Sequence, residues 1–269
     1  MFGALYGDII GSYYETHATK DYDFELRFGS TFTDDSVMTA AVCDAILGNP
    51  ADISIREMKT RAAEYAAQYR HYYDCYPDAG YGTMFSNWAK GGGEGRLHSY
   101  GNGGAMRVVP IGYAYEKLEQ VLLQATASCA VTHDNADAIN GAKAVAACVW
   151  IARKGGTKDD IRSYVQRQFR YNLERTVDEI RPRYQFEVRA SRSVPEAIIA
   201  FLDSHDYESA VRNAVSLGGD ADTQACIAGG IAEAFYGEIP ENIRRFCDQR
   251  LDSHIRMKVR EFKGHFGLK

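Results

Sequence analysis

Two short acidic stretches carry the residues best suited to chemistry. Thr33-Asp34-Asp35 stands immediately before the apolar run 36–47, and Gly218-Gly219-Asp220-Ala221-Asp222-Thr223 immediately before another small-residue run. Each sets two carboxylates and a hydroxyl at a predicted helix start, and the two stretches lie about 190 residues apart. Alone, each reads as a helix cap, because Thr or Asp before a helix satisfies free N–H groups and acids suit the first turn. Together they mean more. If the fold turns the two helix starts towards each other, four carboxylates gather, and they repel unless cations neutralise them. The donors are hard oxygens with no Cys or His among them, which suits magnesium or manganese better than zinc. Gly218 and Gly219 let the backbone approach such a centre closely.

Two further acids sit in the opening stretch GALYGDIIGSYYE. Asp8 and Glu15 are seven residues apart and share a helix face. A glutamate beside a metal pair can orient a water or take its proton. Gly3, Gly7 and Gly11 repeat every fourth residue, a spacing that lets a second helix pack tightly. The stretch 91–104, GGGEGRLHSYGNGG, holds seven glycines in fourteen positions and is too glycine-rich for a helix. With His98, Tyr100 and Asn102 inside it, it reads as a ligand-contacting loop rather than a linker. Its backbone amides could meet a pyrophosphate, although no phosphate-binding GxxxxGK[ST] stretch and no strand–GxGxxG–helix unit is present. Thr132-His133-Asp134 contains the dipeptide used by HD-type phosphohydrolases. The chain's seven histidines (17, 71, 98, 133, 205, 254 and 265) do not supply the further ligands such a site needs, so His133 reads as a capping group or a ligand contact.

The elements that must position these residues are helices. Runs 36–47, 56–73, 136–152 and 223–236 have helical apolar spacing, and 136–152 is apolar nearly all round, as a buried central helix would be. Thr157 to Asp160 has the form of a capping box. After Pro240, a natural first-turn residue, an apolar pattern runs from Ile243 to Phe262. Only Tyr184, Phe186 and Val188 alternate as a short extended segment would. The expectation is an all-α fold in a single domain over residues 1–269.

Composition agrees with that reading. The 269 residues are 45% hydrophobic and 25% charged, with a net charge of −5. Lys and Arg are scattered rather than striped, so no nucleic-acid partner is expected. No apolar run is long enough to span a membrane. None of the six cysteines forms a CxxC pair or a zinc spacing, so buried thiols in a reducing compartment are expected. The opening MFGALYGDII lacks a signal peptide's basic start, and a cytoplasmic monomer is the expectation.

Taken in order, GALYGDIIGSYYE, FTDDSVM, GYG at 80–82, SYGNGGAMRV at 99–108, THD at 132–134 and LGGDADT at 217–223 resemble the ADP-ribosylglycohydrolase family over nearly the whole chain. The resemblance implies an all-α, single-domain orthogonal multi-helix bundle with a dinuclear metal cleft, whose two Mg2+ ions, with Mn2+ as an alternative, are held by Thr33, Asp34, Asp35, Asp220, Asp222 and Thr223. It implies that Gly80, Tyr81 and Gly82 contact substrate. Ser99, Tyr100, Gly101, Asn102, Gly103 and Gly104 would hold the pyrophosphate and distal ribose, and His133 would lie near the adenosine. Glu15, Asp35 and Asp220 become the catalytic candidates: Asp35 or Glu15 to take a water's proton, Asp220 to give one to the leaving group. The SYGNGGAMRV form is similar to the branch acting on ADP-ribosyl-serine and O-acetyl-ADP-ribose. The expected partner is therefore a protein or small molecule bearing ADP-ribose. The rival readings are a non-catalytic ADP-ribose-binding relative and a metal-dependent pyrophosphohydrolase. Segment 172–195 carries no family motif, so acceptor-side differences are expected there.

Overall fold

The computed structural model describes residues 1–268. The chain runs through α1 (Phe2–Thr16), α2 (Asp34–Gly48), α3 (Met58–Cys75), α4 (Thr83–Lys90), α5 (Val109–Ala114), α6 (Leu118–Cys129) and α7 (Ala136–Arg153). It continues through α8 (Lys158–Phe169), α9 (Val177–Ile180), α10 (Ala190–Leu202), α11 (Tyr207–Ser216), α12 (Ala221–Tyr236), α13 (Glu241–Asp248) and α14 (Ser253–His265). Among the described residues there is no strand, only two isolated antiparallel bridges, His98 with His133 and Gly101 with Arg189. The all-α multi-helix bundle expected from the sequence is the observed architecture.

The helix at the centre is α12, whose residues 221–232 are all buried. It packs against α1, α7, α10 and α11. The contact with α1 is close because glycines face backbone there. A Cβ built on Gly7 would lie 2.0 Å from the carbonyl oxygen of Ala225, and one on Gly11 would lie 2.4 Å from that of Ala221. No side chain fits between the two helices, so their backbones touch. Asp8, on the same turn of α1 as Gly7, is thereby brought beside the start of α12.

Local signals account for several helix starts. Thr33 caps α2 by accepting from Asp35 N at 3.3 Å. The Thr157–Asp160 capping box forms as expected, with Thr157 N donating to Asp160 at 2.8 Å and Asp160 N donating to Thr157 at 3.1 Å. Two expectations need correction. The pattern from Ile243 to Phe262 is two helices, not one: the chain breaks after α13, and Asp252 starts α14 anew by accepting from His254 N at 2.8 Å and Ile255 N at 3.2 Å. Pro240 is the cap of α13 rather than its first helical residue. Segment 184–188 is non-helical as read, but it lacks a ladder partner and contributes only the single bridge at Arg189. Five cysteines are buried free thiols and Cys75 is an exposed one. No described helix is long and apolar enough to cross a membrane.

The glycine seam yields a test. Gly7→Ala must push α1 off α12, and overpacking of this kind costs about 3 kcal/mol or more. Gly48→Ala, in α2, meets no atom within 4 Å and should stabilise by about 0.5–1 kcal/mol through helix propensity alone. Urea denaturation of the two variants checks the contrast.

Candidate active site

The two acidic stretches, distant in sequence, meet. α2 begins at Asp34 and α12 at Ala221, and Thr223 Oγ1 donates to Asp35 Oδ2 across the gap at 3.2 Å. One carboxylate oxygen each from Asp8, Asp35 and Asp222 lie within 4.8 Å of one another, and so do those of Glu15, Asp220 and Asp222. Asp222 belongs to both groups, so the acids form one continuous cluster.

Each carboxylate is held by a local device. Asp8 is fully buried in α1 and grips the start of α2. Its Oδ2 accepts from Thr33 N at 3.0 Å, from Ser36 N at 3.1 Å and from Ser36 Oγ, and its Oδ1 accepts from Thr33 Oγ1 at 2.7 Å. Thr33 therefore spends its proton on Asp8, and its oxygen keeps lone-pair density free for another acceptor role. Asp220 sits at the cap position of α12, yet its side chain does not cap the helix. Oδ2 instead accepts from Asn102 Nδ2 at 2.7 Å, and the same amide donates to Ser193 of α10 at 3.1 Å. The glycine loop is thus tied to the second acidic stretch. Gly218 adopts φ +64°, and a Cβ on Gly219 would strike the Tyr184 ring at 2.4 Å. Both glycines are needed for the turn that feeds Asp220 into the cluster.

The electrostatics are those of crowded acids. Burial, then Asp8, Asp220 and Glu15, push Asp34 up to about 8. Burial, then Asp8, Asp34 and Asp220, push Asp35 well above the carboxylate range. Asp222 is raised likewise by burial and by Asp220 and Asp35. Burial raises Asp220, and it raises Asp8 to about 6 against the opposing hydrogen bonds. Glu15, at the cleft edge, is raised by burial, Asp220 and Asp8. Among the described residues, Asp35 Oδ1 is buried with no hydrogen-bond partner. A solvent-starved carboxylate oxygen inside an all-oxygen donor set fits a hard divalent cation.

These residues open onto a cleft of about 420 Å3, within the range of small-molecule sites. Of the residues predicted to contact substrate, Gly80, Tyr81, Gly82, Ser99, Gly101, Asn102, Gly103 and His133 line it; so do Glu15, Thr33, Asp34, Asp35, Asp220, Asp222 and Thr223. Tyr100 and Gly104 do not. Tyr100 is half exposed with the Arg189 guanidinium 4.7 Å from its ring centre, and Gly104 is buried against Cys129. The Tyr81 hydroxyl is buried without a partner, and its ring stacks on Phe85 at 5.1 Å. The sequence reading missed the apolar lining, which includes Met38, Leu97, Met106, Phe186 and Val188, and it missed Arg107. Phe186 and Val188 come from segment 172–195, fastened to the glycine loop by Asn102 N donating to Val188 O at 2.8 Å and Ala190 N to Tyr100 O at 2.9 Å. Their two-residue alternation was the one available signal. Arg107 directly follows the GNGGAM motif, but nothing in the sequence marks it as buried.

The family profile described as ADP-ribosylglycohydrolase matches residues 1–263. The chain belongs to the ADP-ribosylglycohydrolase family. It is a glycohydrolase of ADP-ribose linkages. It is similar to the human ADP-ribosylhydrolase ARH3, at 29% identity over 92% of this chain and 88% of that protein. The frog Xenopus tropicalis ADP-ribosylhydrolase ARH3 is 27% identical over 90% and 88%. A solved structure titled ADP-ribosylglycohydrolase-related protein complex overlays with a TM-score of 0.72 at 25% identity, covering 97% of this chain and 93% of that one.

The glycohydrolase's acidic cluster leads to a prediction about how its stability should respond to pH and to added divalent cations. The folded-state pKa of Asp34, about 8, lies above the unfolded value of 3.8. Without cations this opposes folding progressively as pH rises from roughly 4 through 8; Asp35, Asp220 and Asp222 act in the same direction. Cations also bind only the ionised carboxylates. The thermal midpoint with Mg2+ should therefore exceed that with EDTA by roughly 5 °C or more near neutral pH. The gap should widen from roughly pH 5.5 to 8. Differential scanning calorimetry reads it, and a gap independent of pH would exclude these carboxylates as the binding site.

Proposed function

We propose that the cleft hydrolyses the bond between C1 of the distal ribose of ADP-ribose and an acceptor oxygen, such as that of serine or of an acetyl ester. Two divalent cations, Mg2+ or Mn2+, are proposed at Thr33, Asp34, Asp35, Asp220, Asp222 and Thr223. The observation that carries the reading is the buried, unpartnered Asp35 Oδ1 in an all-oxygen cluster at the mouth of a cleft lined by the glycine loop. Bound there, the cations would neutralise the carboxylates and act as Lewis acids towards ribose hydroxyls and the attacking water.

The chain's own groups then divide the work. Cleavage builds oxocarbenium-like positive charge on the ribose, and the acidic cluster provides a negative field for it. Glu15 stands at the cleft edge, its carboxylate makes no hydrogen bond among the described residues, and its pKa is raised by burial and then by Asp220 and Asp8. It is the proposed acceptor of the water's proton, because a base tuned towards working pH transfers protons best. Asp220, held by Asn102 and ionised as a cation ligand, orients the site rather than giving up a proton, and the proton that Glu15 takes from the water is the one returned to the leaving group. Gly101, Asn102 and Gly103 seat the pyrophosphate, and the flat Tyr81–Phe85 stack bounds the ribose side. The oxygen-linked acceptor rests on the similarity of the SYGNGGAMRV stretch to that branch of the family. A putida strain's ADP-ribosylarginine hydrolase Tri1, 27% identical over 51% of this chain and 38% of that protein, makes arginine the acceptor to test against it.

The test is ADP-ribose release from serine-linked and arginine-linked peptides and from O-acetyl-ADP-ribose, with Mg2+ and with EDTA. Release from the oxygen-linked substrates in Mg2+ alone is expected. Asp35→Asn should lower kcat by more than about a hundredfold, since losing a group that merely supports a metal ligand already costs about 10- to 100-fold. Release of AMP would make the enzyme a pyrophosphohydrolase. Wild-type kcat in Asp35→Asn, or full turnover in EDTA, would sink the mechanism.

A further inference from the structure

His133 follows α6 in a tight turn and is only 8% exposed. One edge of its ring meets the glycine loop: a Cβ on Gly103 would lie 3.1 Å from both Cε1 and Nε2, and one on Gly101 would lie 3.7 Å from Nε2. Nε2 has no hydrogen-bond partner among the described residues, and His133 lines the cleft.

The other ring nitrogen is committed. Nδ1 lies 2.7 Å from Thr132 Oγ1. That hydroxyl is fully buried, and its remaining partner is Nη2 of Arg107 at 2.8 Å. A guanidinium only donates. Thr132 Oγ1 therefore accepts from Arg107, and its own proton has one acceptor within reach, Nδ1 of His133. The opposite arrangement, with a proton on Nδ1, would leave a buried hydroxyl proton unsatisfied. Arg107 is itself fixed in place. It is 1% exposed, its Nη2 also donates to Ser128 O at 3.0 Å, and its guanidinium carbon lies 4.1 Å from the centre of the Tyr69 ring.

We infer that Arg107 and Thr132 are positioning residues that fix the His133 ring with its proton on Nε2, so that it presents a hydrogen-bond donor to the cleft beside Gly101 and Gly103. The ligand chemistry that matches is a phosphate oxygen. On the ADP-ribose reading above, on which the identity of this ligand rests, that oxygen belongs to the pyrophosphate beside Gly101 and Gly103, not to the adenosine end that the resemblance implied for His133. Burial and the Arg107 charge together hold His133 down at about 3, so the ring stays neutral and its donor does not titrate at working pH. The other titratable groups around it do not compete for Nδ1. Asp134 pairs with Arg96 at 3.1 Å, the His98 ring bonds the Asp134 carbonyl, and burial pushes the Cys129 thiol up to about 12. A ring locked in this sense recognises an acceptor without inducing it to reorient, which lowers the ordering cost of binding.

The test reads the proton directly. Long-range proton–nitrogen NMR on the full chain with nitrogen-labelled histidine should give one neutral imidazole with a bare Nδ1 and a protonated Nε2 near neutral pH. The signal is assigned to His133 by its loss in His133→Gln. Thr132→Val should mix the tautomers and weaken ADP-ribose binding by about tenfold in calorimetry, the size of one such hydrogen bond. Thr132→Ser should restore both, which a general loss of folding would not allow. A proton on Nδ1 in the wild type overturns the inference, as does a Thr132→Val protein with unchanged spectrum and affinity. A wild-type protein that has the Nε2 proton but does not bind ADP-ribose would instead overturn the proposed function and leave the His133 assignment standing.

Discussion

Mutual repulsion among buried carboxylates is the constraint on which the rest of this molecule depends. Asp8, Asp35 and Asp222 crowd one point and Glu15, Asp220 and Asp222 the next. Their ionised forms are disfavoured both by lost hydration and by one another. Such a cluster persists only if the surrounding fold is rigid enough to impose it. The glycine contact between α1 and α12 supplies that rigidity, because two touching backbones cannot slide apart by rotating side chains. α1 carries Asp8 and Glu15 on one face, α12 carries Asp222 in its first turn, and the seam fixes their separation.

Helix starts are a natural place for such a cluster. Free N–H groups and the positive end of the helix dipole favour anions there, so acids at the starts of α2 and α12 cost less than they would elsewhere in the interior. What separates a capping residue from a ligand is where its hydrogen bonds go. Thr33 does cap α2, yet it hands its proton to Asp8 and keeps an oxygen lone pair. Asp220 occupies a cap position and declines the role, accepting from Asn102 instead. Both departures from ordinary capping direct oxygens towards the cleft.

The remaining wall has the opposite character. On the inferred tautomer His133 presents an N–H there, held through Thr132 by Arg107, while the acids present acceptors. A ligand with a hydroxyl-rich sugar at one end and a pyrophosphate at the other is complementary to that pair of walls, and the apolar side chains of Leu97, Phe186 and Val188 complete the enclosure. The loop that binds Asp220 through Asn102 also packs against His133 through Gly103, so the two walls are mechanically one unit.

The sequence by itself determined the helical class, the long helices around 36–47, 56–73, 136–152 and 223–236, and the two acidic motifs. Each of these is written in local signals: apolar periodicity, the Thr157–Asp160 box, and a Thr or Asp before an apolar run. It also supplied the glycines of α1 as a packing surface, since spacing alone reveals a smooth helix face. Tertiary structure decided which side chains reach the cleft. Tyr100 and Gly104 stand inside the motif yet face elsewhere, because the loop turns between them. Arg107 stands inside the SYGNGGAMRV stretch with no role assigned to it from sequence, yet is buried at the cleft, held by Ser128, Thr132 and Tyr69 from α6, the following turn and α3. Phe186 and Val188 enter through two backbone bonds to a loop some ninety residues earlier in the chain. The division has a physical cause. Caps and periodicity act over a few residues and survive in sequence, whereas the direction of a loop side chain depends on long-range contacts that no local pattern encodes.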